Sequence, residues 1–110
     1  MYKVIKIGER EVALDSSAAL PIRYTKIFHE NFFKAVDALT KAGESIEYFD
    51  TVQKLTYVMA MQADKADFNA LNESTFEEWL DGFSMMEMMD AVDDIVEVYT
   101  DSAKTASDPK

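Results

Sequence analysis

From Leu20 to Tyr99 the apolar residues recur mostly three or four positions apart, and only Pro21, Gly43 and Gly82 punctuate the run. That spacing places large side chains on one face of successive helices, with Gly and Pro marking where helices begin and end. A many-stranded sandwich needs period-two alternation and frequent turns, and neither is present here. With 110 residues, three Gly, two Pro and 48% hydrophobic residues, one mainly helical domain with a real core is expected.

Ahead of this run, Tyr2 to Ile7 alternate imperfectly around Lys3 and Lys6, Gly8-Glu9-Arg10 supply a turn, and Glu11 to Leu14 follow. Two short β-rich runs around a glycine predict a hairpin, which is marginal alone in water and must lean on helices. Asp15-Ser16-Ser17 is a turn or cap cluster, and Pro21 suits the first turn of a helix. Ile22, Ile27, Phe28, Phe32, Val36 and Leu39 then mark a helix to about Ala42, with a break near His29 and a stop at Gly43.

A second, central helix is expected from Ser45, with Tyr48, Val52, Leu55 and Met59 on one face. Residues 63–74 read as a loop or a loosely helical connection. Ser74-Thr75-Phe76-Glu77, or Thr75-Phe76-Glu77-Glu78 one residue later, predicts a capping box opening a short helix that ends near Gly82. Ser84-Met85-Met86-Glu87 predicts another box for the last helix. The expected fold class is mainly α, a small helical domain of about four helices with an N-terminal β-hairpin. It spans residues 1–101 and precedes a disordered tail over residues 102–110.

Charge is distributed unevenly. The net charge is −10, yet residues 1–43 carry seven Lys or Arg against five Asp or Glu, and residues 44–110 carry four against sixteen. The C-terminal part should repel nucleic acid and attract a basic partner, including the N-terminal part of a neighbouring copy, so a homo-oligomer is expected. Arg23 and Lys26 beside Tyr24 are too few to neutralise phosphates against that balance and read as partner or intramolecular contacts. There is no cysteine, so nothing points to an oxidising compartment. The N-terminus carries no signal-peptide pattern and no apolar run is long enough for a membrane span, so a cytoplasmic protein is expected.

Chemistry finds little support. His29 is the single histidine and reads as a helix-surface or capping residue, because no nucleophile motif accompanies it. Zinc needs Cys or His in sets and an EF-hand needs a glycine in a register that Asp81-Gly82 lacks, so no metal or cofactor is expected. Paired acids such as Glu77-Glu78 and Asp93-Asp94 read as a solvated helix face. The chain is expected not to be an enzyme.

The stretch Thr75 to Tyr99 holds the only Trp and four of the seven Met, at positions 85, 86, 88 and 89. Met85, Met88, Met89, Val92, Val96 and Tyr99 fall on one face, extended by Ile95, and the acids crowd the other side. Met85, Met88 and Met89 are therefore expected in the core, and Met86, off that stripe, at an exposed contact. Methionine is soft enough to accept differently shaped apolar partners. The candidate partner-binding residues are Arg23, Tyr24, Met86, the reachable part of the Met face at Met89, and Asp90, Asp93 and Asp94.

Pro21-Ile22-Arg23-Tyr24 leading into an aromatic helix, then Leu55-Thr56-Tyr57-Val58-Met59-Ala60-Met61-Gln62-Ala63-Asp64, then Phe76-Glu77-Glu78-Trp79-Leu80-Asp81-Gly82-Phe83, together resemble small tail assembly chaperones of long-tailed phages and prophages of Gram-positive bacteria. The resemblance covers about Leu20 to Tyr99. It implies a mostly helical, acidic protein of the host cytoplasm, absent from the mature virion. Such a protein keeps the helical, aggregation-prone tape measure protein soluble until tail tube protein assembles around it. It also implies, in many members, a longer frameshifted product, with which Asp108-Pro109-Lys110 is compatible. Two further classes remain open from the residues alone: an acidic decoy that occupies a basic nucleic-acid-binding protein, and a structural tail or connector subunit.

Overall fold

A computed structural model describes residues 2–41 and 46–107. The chain opens with an antiparallel hairpin, β1 (Tyr2–Ile7) and β2 (Arg10–Asp15), in the register Ile7↔Arg10 through Tyr2↔Asp15. Gly8 takes a φ of 65° at the first of two loop residues, where a hairpin turn that matches the strand twist wants a residue without Cβ. Ile5, Ile7 and Leu14 are buried, so the hairpin has one inner face, and it does lean on helices.

Those helices are α1 (Leu20–Phe28), α2 (Phe32–Lys41), α3 (Ile46–Ala63), α4 (Glu73–Leu80) and α5 (Met85–Ser107). Pro21 sits in the first turn of α1, as its fixed φ and missing N–H allow. The break falls at His29, which ends α1 in the left-handed conformation and donates its backbone N–H to Thr25. Asn31 then opens α2 by accepting from the amides of Phe33 and Lys34 at 2.9 and 3.3 Å. The expected stop at Gly43 and start at Ser45 lie outside the described residues.

α3 is central: it touches β2 and all four other helices. Val52, Leu55, Tyr57, Val58 and Met59 are fully enclosed, as a helix apolar over most of its circumference requires. β2 runs along α3 and β1 along α5, so the hairpin sits across two helices. The aromatic side chains form a connected chain through the core. Tyr24 packs on Phe28 and Phe32, Phe28 on Phe76 and Tyr57, and Tyr57 on Trp79, with ring centroids 5.0–6.5 Å apart. Edge-on and tilted contacts of this kind add specificity to the area they bury.

The connection between α3 and α4 is loosely helical as expected, and two helix boundaries then differ from expectation. The segment 63–74 contains a 3-10 turn, Phe68–Ala70, with Phe68 buried, so an aromatic anchor organises what looks polar. α4 starts earlier than either proposed box, because Asn72 is its N-cap. The Asn72 side chain accepts from the Thr75 amide at 3.0 Å, and Thr75 Oγ1 accepts from the Asn72 amide at 2.9 Å. The last helix does not stop at Asp101 but continues through Ser107, since Ala103 and Ala106 favour helix and no Gly or Pro stands between Gly82 and Pro109. Residues 108–110 lie outside the described residues. Among the described residues no helix is long and apolar enough to cross a membrane.

Candidate partner-binding surface

α5 carries most of the candidate residues, and its start is fixed on both sides. The Ser84 amide donates to Glu87 Oε1 at 2.9 Å and the Glu87 amide to Ser84 Oγ at 3.1 Å, the reciprocal box predicted from sequence. Glu87 also lies directly against the hairpin turn, where a Cβ on Gly8 would collide with its carboxylate.

From there, residues turn by about 100° each, and burial shows which way the helix faces. Met88, Ala91, Ile95 and Val98 are buried. Met85, Met86 and Met89 are exposed by 67%, 60% and 50%, which corrects the placement of Met85 and Met89 in the core. The buried stripe is rotated toward Ala91 and Val98, because β1 packs on α5 and the small Ala91 allows a close approach. Large apolar residues alone had pointed to the neighbouring stripe.

That neighbouring stripe, Met85, Met89, Val92, Val96 and Tyr99, has the 4-3-4-3 spacing of a coiled-coil seam. Its methionine end is exposed and Val92, Val96 and Tyr99 are half-buried. It runs about 21 Å along the helix at 1.5 Å per residue. Tyr99 ends it against Phe32, 6.5 Å away between centroids, and burial pushes the Tyr99 phenol above its ordinary pKa. Along the other side of the seam stand Asp90, Asp93, Asp94 and Glu97, all exposed. Only Glu97 has a cation near it, Lys3 on β1 at 3.9 Å, among the described residues.

Met86, Met89, Asp90, Asp93 and Asp94 are thus brought together on one surface; Arg23 and Tyr24 are not part of it. Arg23 is engaged inside the fold, donating to Gln62 Oε1 at 3.2 Å and lying over the Phe68 ring at 4.8 Å. Gln62 is itself buried, and its amide donates to the Asp15 carbonyl at the end of β2. Tyr24 is fully buried and donates its hydroxyl to Glu30 Oε1 at 3.1 Å. Burial, and then the facing Glu30 carboxylate, push this phenol well above its ordinary range. Lys54 closes the group by donating to both Glu30 oxygens and pairing with Asp50 at 3.0 Å. Burial opposes its charge, but the bonds to Asp50 and Glu30 outweigh that and raise its pKa. This is a structural corner between α1, α2 and α3.

A second apolar surface was not singled out from sequence. Ile22 on α1 and Phe33 on α2 are exposed by 73% and 76%. With Pro21, Thr25, Asn31 and Phe32 they line an open depression of about 460 Å³. From sequence Phe33 only widens the apolar stripe that runs through Phe32; adjacent helical residues point about 100° apart, so which of the two is buried depends on what packs on α2. Among the described residues no group of three or more His, Cys, Asp or Glu is placed to hold a metal ion. Comparison with protein-family models, with curated proteins and with solved structures gives no match to this chain.

Proposed function

We propose that the chain is a phage tail assembly chaperone that holds the helical tape measure protein in solution during tail morphogenesis, without enzymatic activity. The observation that carries this reading is the seam from Met85 to Tyr99, seam-spaced for a partner helix and left open at its methionine end. An amphipathic helix laid along it would meet apolar residues at heptad intervals. Methionine lets that surface accept many local sequences, which suits a client whose segments differ along its length.

The magnitudes favour holding over permanent capture. Burying what remains exposed of Met85, Met86 and Met89, half to two-thirds of each, contributes about 1–2 kcal/mol each, against an association cost of about 4 kcal/mol or more. One copy then binds weakly and releases easily, as displacement by tail tube protein would require. The resemblance of Leu20 to Tyr99 to such chaperones supports the same reading, and it implies a protein of the host cytoplasm that is absent from the finished particle.

Co-expression with the tape measure protein of the same gene cluster tests it. The chain should co-purify with that protein and keep it in the supernatant, and a Met85→Asp, Met89→Asp variant should stay folded and lose both effects. A wild-type chain that neither co-purifies nor changes the client's solubility removes the reading. Finding the chain in purified virions would instead make it a structural tail subunit. Binding only to a basic nucleic-acid-binding protein, with dissociation at high salt, would make it an acidic decoy.

A further inference from the structure

Two exposed apolar patches on this molecule are flanked by opposite charge. The depression around Ile22 and Phe33 lies on α1 and α2, where residues 20–37 hold Arg23, Lys26 and Lys34 against Glu30 and Asp37. Glu30 is already matched by Lys54, and among the described residues Lys26 bonds only a neutral amide, that of Asn69. Lys26 follows Ile22 by one helical turn and Lys34 adjoins Phe33, and both are exposed. The patch on α5 has Met86 and Met89 among Asp90, Asp93 and Asp94, and Met85–Glu97 contains five acids and no base.

We propose that, without a client, the Met86–Met89 face of α5 is covered by the Ile22–Phe33 depression of a second copy. Like charge disfavours the symmetric alternative, because two α5 faces would bring Asp90, Asp93 and Asp94 against their own copies. The contact joins two different patches, so each copy keeps one of each unused and association continues by head-to-tail addition unless the ring closes. The pairing shields exposed methionines that would otherwise aggregate. It also offers α5 the chemistry of a client helix, apolar residues beside lysines, so a client can displace the neighbour. Self-association needs no client and is tested apart from the chaperone reading.

Sedimentation velocity of the full chain over a concentration series supplies the test. Wild type should rise to about twice the monomer mass or beyond with concentration, and less so at about 500 mM salt than at about 50 mM. Phe33→Asp and Met89→Asp, both at exposed positions, should each be monomeric with unchanged circular dichroism. Mixed together, they should form a one-to-one dimer and nothing larger, because the first retains an intact α5 face and the second an intact depression. Lys34→Glu should weaken association and Asp93→Lys should restore it in the double variant. A wild-type chain that stays monomeric, a Phe33→Asp chain that still associates, or a mixture that remains monomeric each overturns the proposal.

Discussion

The Arg10 guanidinium lies 4.5 Å from the centre of the Phe83 ring and donates to the Gly82 carbonyl at 3.0 Å. One residue of β2 thereby ties the hairpin to the turn between α4 and α5, seventy-two positions away. With Glu87 seated against Gly8, this contact sets where α5 begins and which way its seam faces. Arg10→Ala should lower stability by about 1–2 kcal/mol, the sum of an exposed cation–π contact and one hydrogen bond. Arg10→Lys should recover part of it, because a lysine keeps the charge and loses the planar fork. Urea midpoints of the three proteins check this; an Arg10→Ala midpoint equal to wild type would show that the hairpin is held by its apolar face alone.

Met88 and Met89 are neighbours with opposite fates. Met88 is 1% exposed, and Met88→Ala should cost about 2–5 kcal/mol through lost burial and a residual cavity. Met89→Glu should fold with a stability change within about 0.5 kcal/mol, as surface substitutions do. Thermal melts of the two variants decide it, and a Met89→Glu chain that fails to fold would return Met89 to the core. The period of α5 was legible from sequence because its spacing is strong. Its phase was not, since that depends on β1 packing beside Ala91, and a small residue carries no weight in a hydrophobic pattern.

Capping shows a similar division. The box at Ser84 and Glu87 was readable because both residues are of the types whose side chains reach backbone amides at that spacing. The box of α4 uses Asn72 and Thr75, and the Ser and Thr that follow Asn72 suggest later starts that the chain does not use. Asn72→Ala should therefore cost about 1 kcal/mol and Ser74→Ala close to nothing, measured by urea unfolding. Equal costs would move the cap. The candidate site was only half visible for a related reason: charge and methionine spacing marked α5, whereas Arg23 and Tyr24 are taken up by partners at Gln62, Phe68 and Glu30 that are distant or unmarked in the pattern.

Lys65 stands at a φ of 56° just past α3. Its amide donates to the Gln62 carbonyl at 3.2 Å and the Ala66 amide to the Met61 carbonyl at 3.0 Å. This is the paired closure of a helix end in which the left-handed residue is usually glycine. A side chain there costs about 1–2 kcal/mol, part of which glycine returns as unfolded-state entropy. Lys65→Gly should raise the melting temperature by a few degrees, on the scale of about 4–8 °C per kcal/mol for a domain of this size. A lower melting temperature would mean that the lysine makes a contact outweighing its strain.

Alkali should unfold this protein through its buried tyrosines. Burial raises the pKa of Tyr24, Tyr57 and Tyr99; the Glu30 carboxylate adds to it at Tyr24, and at Tyr57 the hydrogen bond to Thr75 partly opposes it. An unfolded tyrosine releases its proton near pH 10, so above about that pH the unfolded chain binds fewer protons than the folded one. The stabilisation is complete below that point and is lost as pH rises toward the folded values, for Tyr24 at up to about 1.4 kcal/mol per pH unit. Lys54, also raised, acts in the same direction. Tyr24→Phe removes one proton from this linkage, lowering stability at pH 7 by about 1 kcal/mol for the lost hydrogen bond while flattening the alkaline limb. Urea midpoints from pH 7 to about pH 11 should bring the two curves together as pH rises. Parallel curves would show that Tyr24 keeps its proton in neither state or in both, and would assign the alkaline transition to the other groups.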